Sequence, residues 1–225
     1  MSDRGASGPG VDGPRVDGPA AYSPGAAKDA DGAQPDPGTT AHRVVLVGFM
    51  AAGKTSVGAI LARRLGWGFV DVDAEVERAA EATIPEIFRR EGEASFRRLE
   101  AAATREALRG QGVVVASGGG WPANPFADWP DLPPGTVSVW LRVDAGEAVR
   151  RARAQGPVER PLLAGDDPGA AAEELLADRE AAYRQAAIHV DTGGRGPEEI
   201  AARLARAVRP PGARARDPSS GTNDA

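Results

Sequence analysis

The chain has 225 residues, with 27 Lys+Arg against 32 Asp+Glu and a formal charge of −5. That balance gives no general attraction to nucleic acid or anionic membranes, and the length suits one domain with a real core. With no cysteine and only two histidines, disulfides, thiolate metal sites, cysteine nucleophiles and multi-histidine metal centres are excluded.

Residues 1–41 are rich in Gly, Pro, Ala, Asp and Ser and lack hydrophobic periodicity; residues 210–225 are similar. Such segments cannot bury enough apolar surface to offset their ordering entropy, so both are expected to be disordered tails around a domain over 42–209. His42, at the boundary, is placed with the tail. No apolar run approaches the ~20 residues of a spanning helix. Met1–Gly10 lacks the apolar core of a secretory signal, so a cytoplasmic protein is expected.

Within the domain, strands and helices alternate. The apolar run Val44–Val47, ending at Gly48, predicts a strand buried on both faces. A helix over 54–65 follows, with Val57, Ile60, Leu61 and Leu65 at helical spacing. Phe69–Asp71 is a short second strand, and 74–81, 84–91 and 93–109 are predicted helices. Val113–Ala116 is a third strand, closed by Gly118-Gly119-Gly120. Val137–Leu141 and Ala187–Val190 complete the strands, and helices over 145–154, 169–185 and 196–208 fill the gaps. This alternation predicts an α/β fold: a parallel sheet covered by helices on both faces.

Gly48-Phe-Met-Ala-Ala-Gly53-Lys54-Thr55 matches G-x-x-x-x-G-K-[ST] between a predicted strand and a predicted helix. Backbone N–H groups of such a loop, and the N-terminus of the next helix, point at phosphate oxygens. Lys54 adds a compact positive charge, which a planar guanidinium could not place as well, and it is one of only two lysines in the chain. The Thr55 hydroxyl suits Mg²⁺, which takes oxygen ligands.

Asp71 and Asp73 close the second strand, at the end where ligands gather in open α/β sheets. Strand alternation would put both on one side. One could serve a Mg²⁺ shell and the other accept a proton from an attacking hydroxyl. The alternative is that Asp73 merely caps the next helix.

The chain resembles the shikimate kinase family of P-loop proteins over essentially all of 43–208. The resemblance rests on Gly48–Gly58, Phe69-Val-Asp-Val-Asp73, Ile84–Glu100 with its Phe96-Arg-x-x-Glu100, Ser117–Gly120, Arg160-Pro-Leu-Leu163, and Arg179 in Asp178–Arg184. It implies a three-layer fold with a five-stranded parallel sheet in the order 2-3-1-4-5 and a lid. It also implies a monomeric, Mg²⁺-dependent enzyme that moves the γ-phosphate of ATP to the 3-hydroxyl of shikimate in aromatic amino-acid biosynthesis.

The site residues follow from the resemblance. Gly48, Ala51, Ala52, Gly53, Lys54, Thr55 and Ser56 are expected to bind the nucleotide, with Arg160 in the lid stretch 155–169 and Pro197 beside the adenine. Spacing does not separate Arg151 from Arg153 as the adenine-stacking arginine; Arg153 is assigned. Thr55 and Asp71 are the metal residues. Lys54, Asp73 and Arg160 are the catalytic ones. Arg97 and Arg179 are expected to take the acceptor carboxylate, with Asp73 on its hydroxyls. Gly118, Gly119 and Gly120 are expected to let the backbone approach the acceptor. Outside that family position, Arg179 would read as a surface ion-pair partner, Pro197 as a first-turn proline, Arg98 as a solvated helix residue and His189 as structural.

Two features depart from the family pattern. Ala51 replaces a loop glycine, so a backbone conformation that alanine tolerates is expected there. After Gly120 comes Trp121–Pro134, with five prolines, where a long helix is not expected. Trp121 is expected to fill space rather than reshape the pocket. Two other functions stay open on residue chemistry alone: a kinase of another small hydroxylated metabolite such as gluconate, or a non-catalytic nucleotide-binding module.

Overall fold

In the computed structural model, residues 41–154 and 167–208 are described. Both tail assignments, Arg160 and most of the lid stretch lie outside those residues.

Five parallel strands form one sheet in the order β2-β3-β1-β4-β5, as the resemblance implies. They are β1 (Arg43–Val47), β2 (Gly68–Asp71), β3 (Val113–Ala116), β4 (Thr136–Arg142) and β5 (Ile188–Asp191). The helices are α1 (Lys54–Leu65), α2 (Val72–Ala80), α3 (Ile84–Glu91), α4 (Glu93–Ala107), α5 (Ala145–Ala154), α6 (Pro168–Tyr183) and α7 (Pro197–Ala207). A short 3₁₀ turn, Trp121–Ala123, starts the proline-rich segment.

All five residues of β1 are buried, because β1 is the central strand and both its faces are covered. Alternate side chains go to opposite layers. Val44 and Leu46 join Val114, Val139 and Leu141 in a core closed by α1, α5 and α7. Val45 and Val47 join Val113, Val115 and Trp140 in a second core with Val76, Ile87, Phe96 and Tyr183. The register pairs Leu46 with both Ala116 and Val139, so β1, β3 and β4 reach the site end of the sheet at one level.

His42 is not part of a tail. Its N–H donates to the Gly135 carbonyl at 2.8 Å and its carbonyl accepts from Gly112 at 2.7 Å, stitching the far end of the sheet. His189 is structural, as expected: its buried ring meets the carbonyls of Arg184 and Ala186 and the edge of Trp140.

Leu61 is fully buried between the sheet and α7. Leu61→Ala is expected to cost about 2–5 kcal/mol, measured as a lower denaturant midpoint, with turnover per folded molecule kept.

Candidate active site

The loop between β1 and α1 carries the phosphate motif. Gly48 opens it with φ 141°, and a Cβ there would stand 2.4 Å from the Leu141 carbonyl oxygen. Gly53 caps α1 at φ 92°. Ala51 sits at φ 54°, in the left-handed region. The expectation of an alanine-friendly backbone is therefore overturned: the loop holds its shape against a local penalty of about 1–2 kcal/mol.

Lys54 Nζ donates to the carbonyls of Gly48 and Phe49 at 2.8 and 3.0 Å, so its ammonium group spans the loop it follows. Burial lowers the Lys54 pKa, while Asp73, Asp71 and Glu100 resist the shift.

Asp71 and Asp73 reach the site by a different route from strand alternation. The chain enters α2 at Val72. Asp71, not Asp73, caps that helix: its Oδ1 accepts from Asp73 N at 3.1 Å and Ala74 N at 3.4 Å. Its Oδ2 accepts from the Thr55 hydroxyl at 2.7 Å. The two residues assigned to a metal thus touch. Asp73 stands in the first turn of α2, where burial raises its pKa against the opposing pull of Lys54.

Arg97 on α4 and Arg179 on α6 are buried arginines, not surface ion-pair partners. Arg97 Nη1 bonds Glu100 Oε2 at 2.9 Å, and its Nε and Nη2 bond Glu93 Oε1 at 3.1 and 2.9 Å. Burial works against the Arg97 charge, but Glu100 and Glu93 hold its pKa above the ordinary value. Glu100 is fully buried, and burial raises its pKa against the pull of Arg97. Arg179 lies against the hydroxyl of Tyr183. That hydroxyl donates to the Gly119 carbonyl, and burial pushes its pKa up to about 12. Tyr183 also stacks on Trp140, with ring centroids 5.8 Å apart. Arg97, Arg179 and Gly120 line one cleft of about 510 Å³, with Glu93, Asn124 and Phe126 on its other walls.

The three glycines sit tightly against other parts of the site. A Cβ on Gly118 would stand 2.0 Å from Glu100 Oε1 and 3.0 Å from Asp73 Oδ1. One on Gly120 would meet Arg97 Nη1 at 2.4 Å. The missing side chains make room for the protein's own charged groups. Gly119 packs over the phosphate loop, where a Cβ would lie 3.5 Å from Met50 N.

On the nucleotide side, Arg151 is held by Glu147 Oε1 at 2.6 Å and by Thr192, through Oγ1 at 3.1 Å and the carbonyl at 2.8 Å. Thr192 starts the loop to Pro197, the first residue of α7. Arg153, the residue assigned from sequence, is exposed near the end of α5. Ala52 is buried beneath the loop, and Ser56 is exposed in the first turn of α1. Trp121 is buried against Trp129 and fills space, as expected. Sequence reasoning assigned no role to Glu100 or Tyr183. Glu100 closes the Phe96-Arg-x-x-Glu motif, and Tyr183 lies one helical turn after Arg179, so spacing was the available signal.

A phosphate loop and an acceptor cleft with two buried guanidinium groups, both at the carboxyl end of a 2-3-1-4-5 sheet, define an ATP-dependent small-molecule kinase. The family model described as shikimate kinase matches residues 50–209, and the chain belongs to that family. A shikimate kinase of Synechococcus sp. (strain RCC307) is 44% identical over 159 residues, covering 71% of this chain and 80% of that protein. One from Rhodococcus erythropolis is 38% identical over 163 residues, covering 72% and 94%. The solved shikimate kinase from Acinetobacter baumannii in complex with shikimate superposes with a TM-score of 0.67 at 33% identity, covering 75% of this chain and 93% of that one. No described helix is long and apolar enough to cross a membrane.

Replacing Ala51 by Gly relieves the left-handed strain but frees the unfolded chain, a loss of about 0.5–1 kcal/mol. The balance is a gain of up to about 1.5 kcal/mol, or a rise of at most roughly 6 °C in Tm. Thermal unfolding of Ala51→Gly is expected to show it.

Proposed function

We propose that this chain transfers the γ-phosphate of ATP to the 3-hydroxyl of shikimate, with Mg²⁺ at Thr55 and Asp71. The observation that carries this reading is one site where Lys54 lies within electrostatic reach of Asp73 and the cleft beyond holds two buried arginines.

The metal residues fit the chemistry of Mg²⁺. A hydroxyl and a carboxylate oxygen 2.7 Å apart adjoin the phosphate loop. Among the described residues no three or more His, Cys, Asp or Glu form a cage. A site with two protein oxygens is of the kind that phosphate oxygens and water complete. When bound, Mg²⁺ would neutralise charge on the transferring phosphates.

The residues divide the work. Loop N–H groups and the N-terminus of α1 hold the phosphates. Lys54 exchanges loop carbonyls for phosphate oxygens and stabilises charge spreading over the moving phosphoryl group. Arg160 adds a second cation by its family position. Arg97 and Arg179 hold the acceptor carboxylate, for which planar guanidinium donors are suited. Asp73 accepts the hydroxyl proton, and a carboxylate whose pKa is raised is better matched to that task. Arg151, held against the loop to Pro197, is the better-placed of the two candidates for the adenine side.

The first test is ATP consumption with Mg²⁺, with and without shikimate. Strong stimulation by shikimate is expected, and equal stimulation by gluconate would move the acceptor assignment. Lys54→Ala should lower kcat by about 10³-fold or more; near-normal turnover would remove Lys54 from the transfer step. Arg179→Ala should raise the shikimate KM about tenfold or more and leave the ATP KM unchanged. As pH falls, Asp73 becomes protonated and can no longer accept a proton. The acid limb of kcat is therefore expected to have its midpoint above the ordinary aspartate value of 3.8. A midpoint at or below that value would mean that another step limits turnover.

A further inference from the structure

Residues 121–134 depart most from the family pattern, and the transfer step as described gives them no part. In the structure they form a strap between the two helices that carry the acceptor-side arginines. At one end, Trp129 Nε1 donates to the Ala182 carbonyl of α6 at 3.1 Å, one residue before Tyr183. At the other, Asn124 is buried against α4.

All three hydrogen-bonding groups of the Asn124 amide are in use. Nδ2 donates to the Arg97 carbonyl at 2.7 Å and to Glu100 Oε2 at 3.2 Å. Oδ1 accepts from Phe126 N at 2.9 Å. The pattern fixes the amide orientation, since the flipped form would set an oxygen against two acceptors. Glu100 Oε2 is also the oxygen that takes Arg97 Nη1 at 2.9 Å. One side chain therefore holds both the backbone of Arg97 and the carboxylate that aims its guanidinium group.

The two anchors of the guanidinium group differ in exposure. Arg97 has a second carboxylate partner in Glu93, whose side chain is 50% exposed at the rim of the cleft, whereas that of Glu100 is 1% exposed. Glu100 Oε1 is buried with no hydrogen-bond partner, so Oε2 carries all the hydrogen bonding available to that carboxylate. Removing one of its two donors weakens the anchor at the most desolvated point of the cluster, where an unmet group costs most.

We propose that Asn124 is a positioning residue for acceptor binding, which fixes the direction of the Arg97 guanidinium group by bonding the Arg97 carbonyl and the Glu100 carboxylate together. Aspartate could not replace it: it would keep the acceptor for Phe126 N, lose both donor bonds and set a carboxylate beside Glu100. The inference rests on the reading that shikimate is the acceptor and that Arg97 binds its carboxylate.

The test uses the full chain with Mg²⁺, ATP and shikimate, comparing wild type with Asn124→Ala, Asn124→Asp and Arg105→Ala. Arg105 ties the same segment to α4 through Asp128, at 2.6 and 3.1 Å, on the exposed side and away from Arg97. Its variant loosens the segment without touching the anchor. Both Asn124 variants should raise the shikimate KM and the calorimetric shikimate Kd about tenfold, with kcat at saturation and the ATP KM within about twofold. Arg105→Ala should leave all of these unchanged. An unshifted shikimate KM, an equal loss in the ATP KM, or the same shift in Arg105→Ala would overturn the proposal. If the Ala variant does not fold, the near-isosteric Asp variant decides; if neither folds, Asn124 is a structural staple and the proposal falls. A wild type without shikimate-dependent turnover would overturn the acceptor reading and this inference with it. An active wild type with unshifted Asn124 variants would overturn this inference alone.

Discussion

The site depends on the parallel pairing of β1 with β3 on one side and β4 on the other. Leu46 faces Ala116 and Val139 across the two ladders, so three chain segments leave the sheet side by side. The phosphate loop follows β1, and the triple glycine follows β3. β4 supplies the Leu141 carbonyl that leaves no room for a Cβ on Gly48. A register slip of one residue would turn every strand side chain to the other layer and part these segments. The two continuous cores, one on each face, hold that register.

On this frame the protein gathers charge that would be costly to bury alone. Glu100 is fully buried, and Arg97 and Arg179 nearly so. An isolated ion there would lose far more hydration than a single contact returns. Arg97 and Glu100 are instead held in a network, Arg97 by two glutamates and Glu100 by Arg97 and Asn124, with Arg179 near the Tyr183 hydroxyl. Gly118 and Gly120 are part of the same arrangement, because a methyl group at either would occupy the position of a charged atom. Guanidinium groups that are already oriented need little reorganisation to receive a carboxylate.

The phosphate loop shows the same preference for preorganisation over local ease. Ala51 is held at a positive φ and Lys54 lies across its own loop carbonyls. Backbone strain survives where surrounding structure over-determines it. Here the surroundings are the end of β1, where Leu46 and Val47 are buried on opposite faces of the sheet, and Val57 buried near the start of α1.

Much of this was legible in the amino-acid order. A strand buried on both faces needs an unbroken apolar run, and Val44–Val47 is one. A phosphate loop needs glycines and a lysine at fixed offsets, and residues 48–55 supply them. Local periodicity also placed the helices and strands of the described residues to within a few positions. Family motifs singled out Arg97 and Arg179. What local order could not decide was where each functional atom points. Asp71 and Asp73 share a short motif, yet the turn into α2 makes one a helix cap beside Thr55 and sets the other where Lys54 acts on it. The triple glycine was legible as a place of close approach, but which charged groups lie against it, Glu100 and Asp73 at Gly118 and Arg97 at Gly120, is set by other elements. Arg151 and Arg153 differ by two positions in one helix, and only the meeting of α5 with the loop after β5 brings Arg151 onto Thr192. Asn124, in a segment without periodicity, gains its partners only when that segment folds back over α4. Periodicity and short motifs report a residue's own element; burial, close approach and shared hydrogen bonds are set by elements distant in sequence, so only the tertiary structure decides them.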